Sequence, residues 1–173
     1  LIGRSASAAL DEVAEAIVGV RAEVPVEART AGTLGRERRG SGVLIDDSGL
    51  VLTIGYLILE ASAVDLRSPG GARVPADVVA YDHESGFGLL RASVPLDGKP
   101  LPLGDSDSVR PGDPLLVLAN VDGLSGLPAK LTDRRTYAGY WEYLLEDALF
   151  TTPPFPLFGG AALIDREGRL VGI

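Results

Sequence analysis

The stretch Gly40-Ser-Gly-Val-Leu-Ile-Asp-Asp-Ser-Gly-Leu-Val-Leu-Thr53 decides the fold. Its first half, Ser41 to Ile45, is a short apolar run, and Leu50 to Thr53 is a second. Asp46-Asp-Ser-Gly49 lies between them. Asp and Ser side chains bond back to their own backbone, and Gly supplies a positive φ, so this spacer predicts a tight turn. Two apolar runs joined by such a turn form a hairpin. Downstream, the same texture predicts strands over Ala63 to Arg67, Val74 to Tyr81 and Phe87 to Ala92. Leu101-Pro-Leu-Gly104 opens a second half, and a strand from Asp113 to Ala119 follows the turn Arg110-Pro-Gly-Asp113. Residues 121–148 match no single period. Gly168 marks a last turn between Ala161–Ile164 and Arg169–Ile173. Short strands at this spacing, with no sustained helix among them, predict an antiparallel barrel or sandwich.

Upstream of Gly40 the pattern changes. Leu10, Val13, Ala14 and Ile17 fall on one helical stripe, with Asp11, Glu12 and Glu15 mostly opposite, which predicts a helix from about Ser7 to Val20. Pro25 ends the pattern. Residues 27–40 are polar and glycine-containing, as expected of a mobile loop. The basic run Arg36-Glu-Arg-Arg39 within it reads as a solvated loop, with an anion or partner contact as the alternative.

With 173 residues, 46% of them hydrophobic, the chain can bury one core or two small ones. Twenty-two glycines and twelve prolines fit many turns. The net charge of -8, with Lys99 and Lys130 the only lysines, argues against a nucleic-acid partner, because phosphates need a basic patch. The absence of cysteine removes disulfides, thiol nucleophiles and Cys-ligated metals. The single histidine, His83, would need carboxylate partners to hold a metal, so neither metal nor cofactor is expected. No apolar run reaches the length of about 18 residues that a membrane span requires.

The order of motifs resembles the HtrA/Deg branch of the trypsin-like serine proteases. Residues 40–53 are similar to that family's first-barrel opening, and Asp82-His-Glu-Ser-Gly-Phe-Gly-Leu-Leu90 to the segment bearing its catalytic aspartate. Leu101-Pro-Leu-Gly-Asp-Ser-Asp-Ser-Val-Arg-Pro-Gly-Asp113 is the most specific match, to the link between barrels. Gly159-Gly160 and Gly168-Arg-Leu-Val-Gly-Ile173 resemble the stretch after the nucleophile. The resemblance runs from about Gly40 to Ile173 and weakens between Val121 and Phe150. It implies an all-β, chymotrypsin-like double barrel with an N-terminal helix. Residues 1–39 would hold the helix and loop, 40–100 the first barrel and 101–173 the second. The family's last strand and closing helix fall past Ile173, so either the chain is truncated or another chain completes the barrel.

A serine protease needs a serine that attacks, a histidine that takes its proton and an aspartate that orients the histidine. It also needs backbone N–H donors for the oxyanion. Where the resemblance places the histidine, in Leu-Thr-x-x-His, this chain has Tyr56. A phenol, with a reference pKa near 10, is a poor base at neutral pH. Gly86 stands where the aspartate belongs, and Phe158 where the nucleophile belongs. Pro156 replaces the glycine whose N–H serves the oxyanion, and proline has none to give. The resemblance therefore implies a degenerate triad and a catalytically inactive homologue that binds protein or peptide.

Two alternatives stand beside that expectation: a hydrolase with a rebuilt site using His83 or a nearby serine, although none of Ser62, Ser85 and Ser125 sits in a strand–turn nucleophile context, and a structural subunit of an oligomer. The acidic pairs Asp46-Asp47 and Asp105/Asp107 read as turn chemistry. Tyr56 and Phe158 are expected to face each other across the cleft, either filling it or flooring a peptide site. Tyr137, Tyr140, Trp141 and Tyr143 form an aromatic cluster that either packs or binds a partner, on a short helix or a loop. The family's trimers and extracytoplasmic, periplasmic setting are implied by resemblance alone, as is a bacterial source.

Overall fold

The structure, a computed structural model, describes residues 10–139 and 144–173. A helix, α1, covers residues 10–14, and the chain turns into strand two residues later. β1 (Ile17–Glu23), β2 (Glu37–Leu44), β3 (Leu50–Ile54), β4 (Ala63–Arg67), β5 (Arg73–Tyr81) and β6 (Phe87–Ala92) form a closed barrel of order β1-β2-β3-β6-β5-β4. All neighbours are antiparallel, and β1 closes the ring by pairing with both β2 and β4. Val18, Val20, Leu44, Val51, Leu66 and Leu90 fill the interior. Each such burial is worth about 1.5–3 kcal/mol.

The helix expected to reach Val20 is therefore corrected from Ile17 onward. As a helix, Ile17, Val18 and Val20 would point in different directions. As β1, Val18, Val20 and Ala22 share the barrel interior, and all three are at most 3% exposed. Tertiary closure outweighs the local helical stripe. The loop expected over 27–40 is shorter too. A one-turn helix, α2 (Ala31–Leu34), breaks it, and β2 starts at Glu37.

β7 (Pro114–Asn120), β8 (Leu124–Ala138), β9 (Leu144–Thr152), β10 (Ala162–Ile164) and β11 (Leu170–Gly172) form a five-stranded sheet of order β11-β10-β7-β8-β9. It curls into a half-barrel around Val109, Leu115, Val117, Leu131 and Leu163. The segment unplaced by sequence is a long ribbon. β7 pairs with β8 only up to Lys130, whereas β8 pairs with β9 from Lys130 to Ala138. Arg134 ties the ribbon down, donating to both carboxylate oxygens of Asp147 and to the carbonyl of Val109. Leu144 to Asp147 are strand, so the helical alternative for that stretch is also corrected.

The two halves are packed together. Leu118, Ala162, Ile164 and Leu170 of the half-barrel belong to the same buried cluster as the first barrel's residues, beside the half-barrel's own smaller core. The sequence run Leu101 to Gly104 knits the join: Leu101 N–H donates to Leu44, Leu170 N–H to Pro102, and Gly104 N–H to Leu170. A buried polar clasp adds orientation. Asn120 N–H donates to Ser41 Oγ (2.8 Å), Thr53 Oγ1 to the Ser41 carbonyl (2.7 Å), and Asn120 Nδ2 to the Ile17 carbonyl (3.1 Å). Each of the three side chains has a hydrogen-bond partner, which is what allows them to sit in an apolar seam.

Candidate functional site

The first barrel delivers two of the sequence-predicted positions to the seam. β3 ends at Ile54, and a 3-10 turn, Gly55–Leu57, carries Tyr56. Gly55 N–H donates to the Gly86 carbonyl at 2.7 Å, so Tyr56 and Gly86 sit side by side. Gly86 has φ +75°, a conformation glycine adopts freely. The half-barrel delivers the third. A Cβ placed on Gly159 would lie 2.5 Å from Tyr56 Oη, so the phenol touches the backbone next to Phe158. Gly159 in turn accepts from Ser41 N–H at 2.8 Å, which fixes the loop to β2. Tyr56 thus has Gly86 beside its turn and the backbone next to Phe158 against its hydroxyl. Pro156, exposed, lies in the turn leading into Phe158.

Phe158 does not fill the cleft. It is 70% exposed, while Tyr56 is half-buried against the core. The space-filling pair is corrected to a half-buried phenol beside an exposed ring. The segment docks through Phe155, which packs on the half-barrel core, and through Gly159, leaving Phe158 outside.

Both rings border a groove of ≈ 1270 Å³. Small-molecule pockets run to about 1,000 Å³, so this one suits a length of polypeptide. Leu149, Phe155, Leu163 and Val171 give it an apolar wall. Asp82, Glu84, Glu146 and Asp147 edge it. His83 also borders it, and its ring packs edge-on against Tyr81 at 4.4 Å. Ser85 Oγ donates to Asp82 (2.5 Å), not to His83. Among the described residues, no group of three metal-ligating side chains occurs.

Tyr137 is partly exposed near the ribbon's end, 6.2 Å from Phe150. Arg135 stacks over the same Phe150 at 4.2 Å. Tyr140, Trp141 and Tyr143 lie outside the described residues.

The sequence missed the residue that holds the Tyr56 turn. Arg38, read as part of a solvated run, is 4% exposed. Its guanidinium donates to the carbonyls of Tyr56 (2.7 Å), Leu59 (2.8 Å) and Gly35, and to Thr30 Oγ1 (2.7 Å). Burial pushes the group down from its ordinary value, and the Glu60 carboxylate opposes that shift. Arg at an inward strand position between glycines was the only signal. Arg38→Met keeps the volume and strands the Tyr56 and Leu59 carbonyls. We expect a loss of about 3 kcal/mol in urea unfolding. A loss below about 1 kcal/mol would show that water replaces the guanidinium.

Glu60 finishes the network at φ +59°, accepting from Thr30 Oγ1 (2.6 Å) and from the N–H of Thr30 and Arg29. The Thr30 hydroxyl holds its carboxyl below the usual range, helped by these N–H groups. A depressed folded value means stability present above the unfolded value and lost as pH falls through the folded one. Protection around α2, the exchange rate relative to that of the free amide at the same pH, is therefore expected to weaken as pH drops below about 4.3, the unperturbed Glu value. With Glu60→Gln that acid-side change should vanish; an unchanged profile would rule the carboxylate out.

A closed antiparallel barrel joined to a half-barrel, with a groove at the seam, is the architecture of chymotrypsin-like proteins. Residues 40–173 match the family model for the trypsin-like peptidase domain. The chain belongs to the trypsin-like peptidase family, in its HtrA/Deg branch. The periplasmic serine endoprotease DegP of Escherichia coli K12 is 29% identical over 141 residues, covering 78% of this chain and 29% of that protein. The periplasmic pH-dependent serine endoprotease DegQ of the same organism is 29% identical, over 79% and 31%. The chain thus spans under a third of the length of these relatives. The solved structure of the HtrA-type protease AlgW with tripeptide superposes with a TM-score of 0.80 at 24% identity, over 96% of this chain and 52% of that one.

Proposed function

We propose that this chain is a catalytically inactive HtrA/Deg-type domain that binds protein or peptide in the groove at its seam. One observation carries the reading: where base, orienting acid and nucleophile would meet, the side chains are the Tyr56 phenol, none at Gly86, and the Phe158 ring. None is a nucleophile–base pair at neutral pH. Pro156 supplies no N–H to an oxyanion. The exposed Phe158 ring offers apolar surface to an occupant instead. Tyr137 and the neighbouring Tyr140, Trp141 and Tyr143 would extend the contact. The periplasmic setting of the relatives favours an extracytoplasmic location, and contact between copies through the ribbon is the second reading, favoured by exposed Leu144.

Unfolded casein tests this directly. Saturable binding by calorimetry, with no new N-termini after prolonged incubation, is the expected result. Cleavage would sink the inactive reading, and absence of any binding would sink the binding one.

A further inference from the structure

We infer that the groove selects extended segments in which an apolar side chain is flanked by Arg or Lys; this rests on the binding reading above. Among the described residues, the carboxylates that border the groove are Asp82, Glu84, Glu146 and Asp147, and no Lys or Arg lines it, Arg135 being engaged over the Phe150 ring. Asp147 is satisfied by Arg134. The other three carboxylates form no ion pair among the described residues. They stand on opposite banks, Asp82 and Glu84 before β6 of the first barrel and Glu146 on the ribbon. Asp82 is held ionised, because Ser85 Oγ and the N–H groups of Glu84 and Ser85 all donate to it. Between the banks the exposed surface is apolar: Phe158 is 70%, Leu144 56% and Phe87 36% exposed. An apolar floor between uncompensated negative banks complements a segment with a central apolar side chain and cationic neighbours. A guanidinium lying on Phe158 would also meet the ring's negative face. The same banks repel acidic segments, so discrimination comes from exclusion as well as attraction.

The test uses three fluorescein-labelled peptide amides, Arg-Val-Phe-Arg-Val-Arg and its versions with Glu or Gln at each Arg, titrated by anisotropy. The Arg peptide should bind about tenfold more tightly than the Gln peptide, and the Glu peptide more weakly than either. Glu84→Gln with Glu146→Gln should weaken the Arg peptide about fivefold and leave the Gln peptide unchanged. Both side chains are exposed, so folding is spared. Asp47→Asn with Asp97→Asn removes as much charge away from the groove, and should change binding less than twofold, which separates the banks from the net charge of -8. Phe158→Ala should weaken all three peptides. Equal binding of the Arg and Glu peptides, or equal effects of the two double variants, overturns this inference and leaves the binding function standing. No binding by any peptide overturns both.

Discussion

The chain as it stands is expected to take up no serine-directed phosphonate, and Phe158→Ser alone is expected to leave it inert. Triad members act as a unit, and removing the nucleophile or the base by itself already costs about 10⁶ in rate. A new hydroxyl at 158 would face the Tyr56 phenol, which does not take a proton at neutral pH. Nothing would then orient a base, since position 86 carries no carboxylate. The backbone nonetheless brings the neighbours of these positions together, with Gly55 bonded to Gly86 and Tyr56 against Gly159. Tyr56→His, Gly86→Asp, Phe158→Ser and Pro156→Gly together are therefore the smallest set expected to give measurable labelling. Gly86→Asp places a side chain at φ +75°, where Asp is among the better tolerated residues. The same set without Pro156→Gly should be about 10²–10³ slower, the worth of one oxyanion donor. Labelling of the unaltered chain, lost on His83→Ala, would overturn the reading in favour of a relocated site.

Gly160→Ala is expected to destabilise the fold by about 4 kcal/mol or more, among the larger effects a single methyl produces. Gly160 sits at φ +73°, and a Cβ there would lie 2.0 Å from the Ser41 carbonyl oxygen and 2.9 Å from Thr53 Oγ1. Ser41 and Thr53 belong to the clasp that joins the two halves, and neither can retreat without breaking it. Gly112→Ala is the control. Its φ is +96°, yet nothing lies within 4 Å of the added carbon, so only the conformational cost of about 1–2 kcal/mol applies. Urea unfolding of the two variants separates backbone strain from collision. Equal losses would mean that the seam is loose at Gly160 and that the halves are not held by this contact.

Much of the fold was legible because its signals are short-range. The Asp46 carboxylate accepts from Ser48 N–H and Leu50 N–H, so the first hairpin's turn is specified within five residues. β4 and β6 begin and end where alternation and turn residues place them. The proposed loss of the triad rests on the same kind of local reading: Tyr56, Gly86 and Phe158 carry no nucleophile–base pair wherever the fold places them.

Other features needed the whole chain. Leu10 to Ile17 carries a fair helical stripe, and only pairing with both β2 and β4 makes Ile17–Glu23 a strand. Arg38 looks like surface charge until four oxygens from separate segments converge on it. Phe158 looks like a plug until the structure leaves its ring 70% exposed while Phe155 takes the place on the core.

What the sequence determined alone was the set of local turns and strands, and which side chains stand at positions 56, 86, 156 and 158. The closure of the barrel, the burial of Arg38 and the opening of the groove were decided by tertiary structure. The cause is separation along the chain: Ser41 and Asn120 are 79 residues apart and Ile17 and Asn120 103, so no local pattern can encode their meeting.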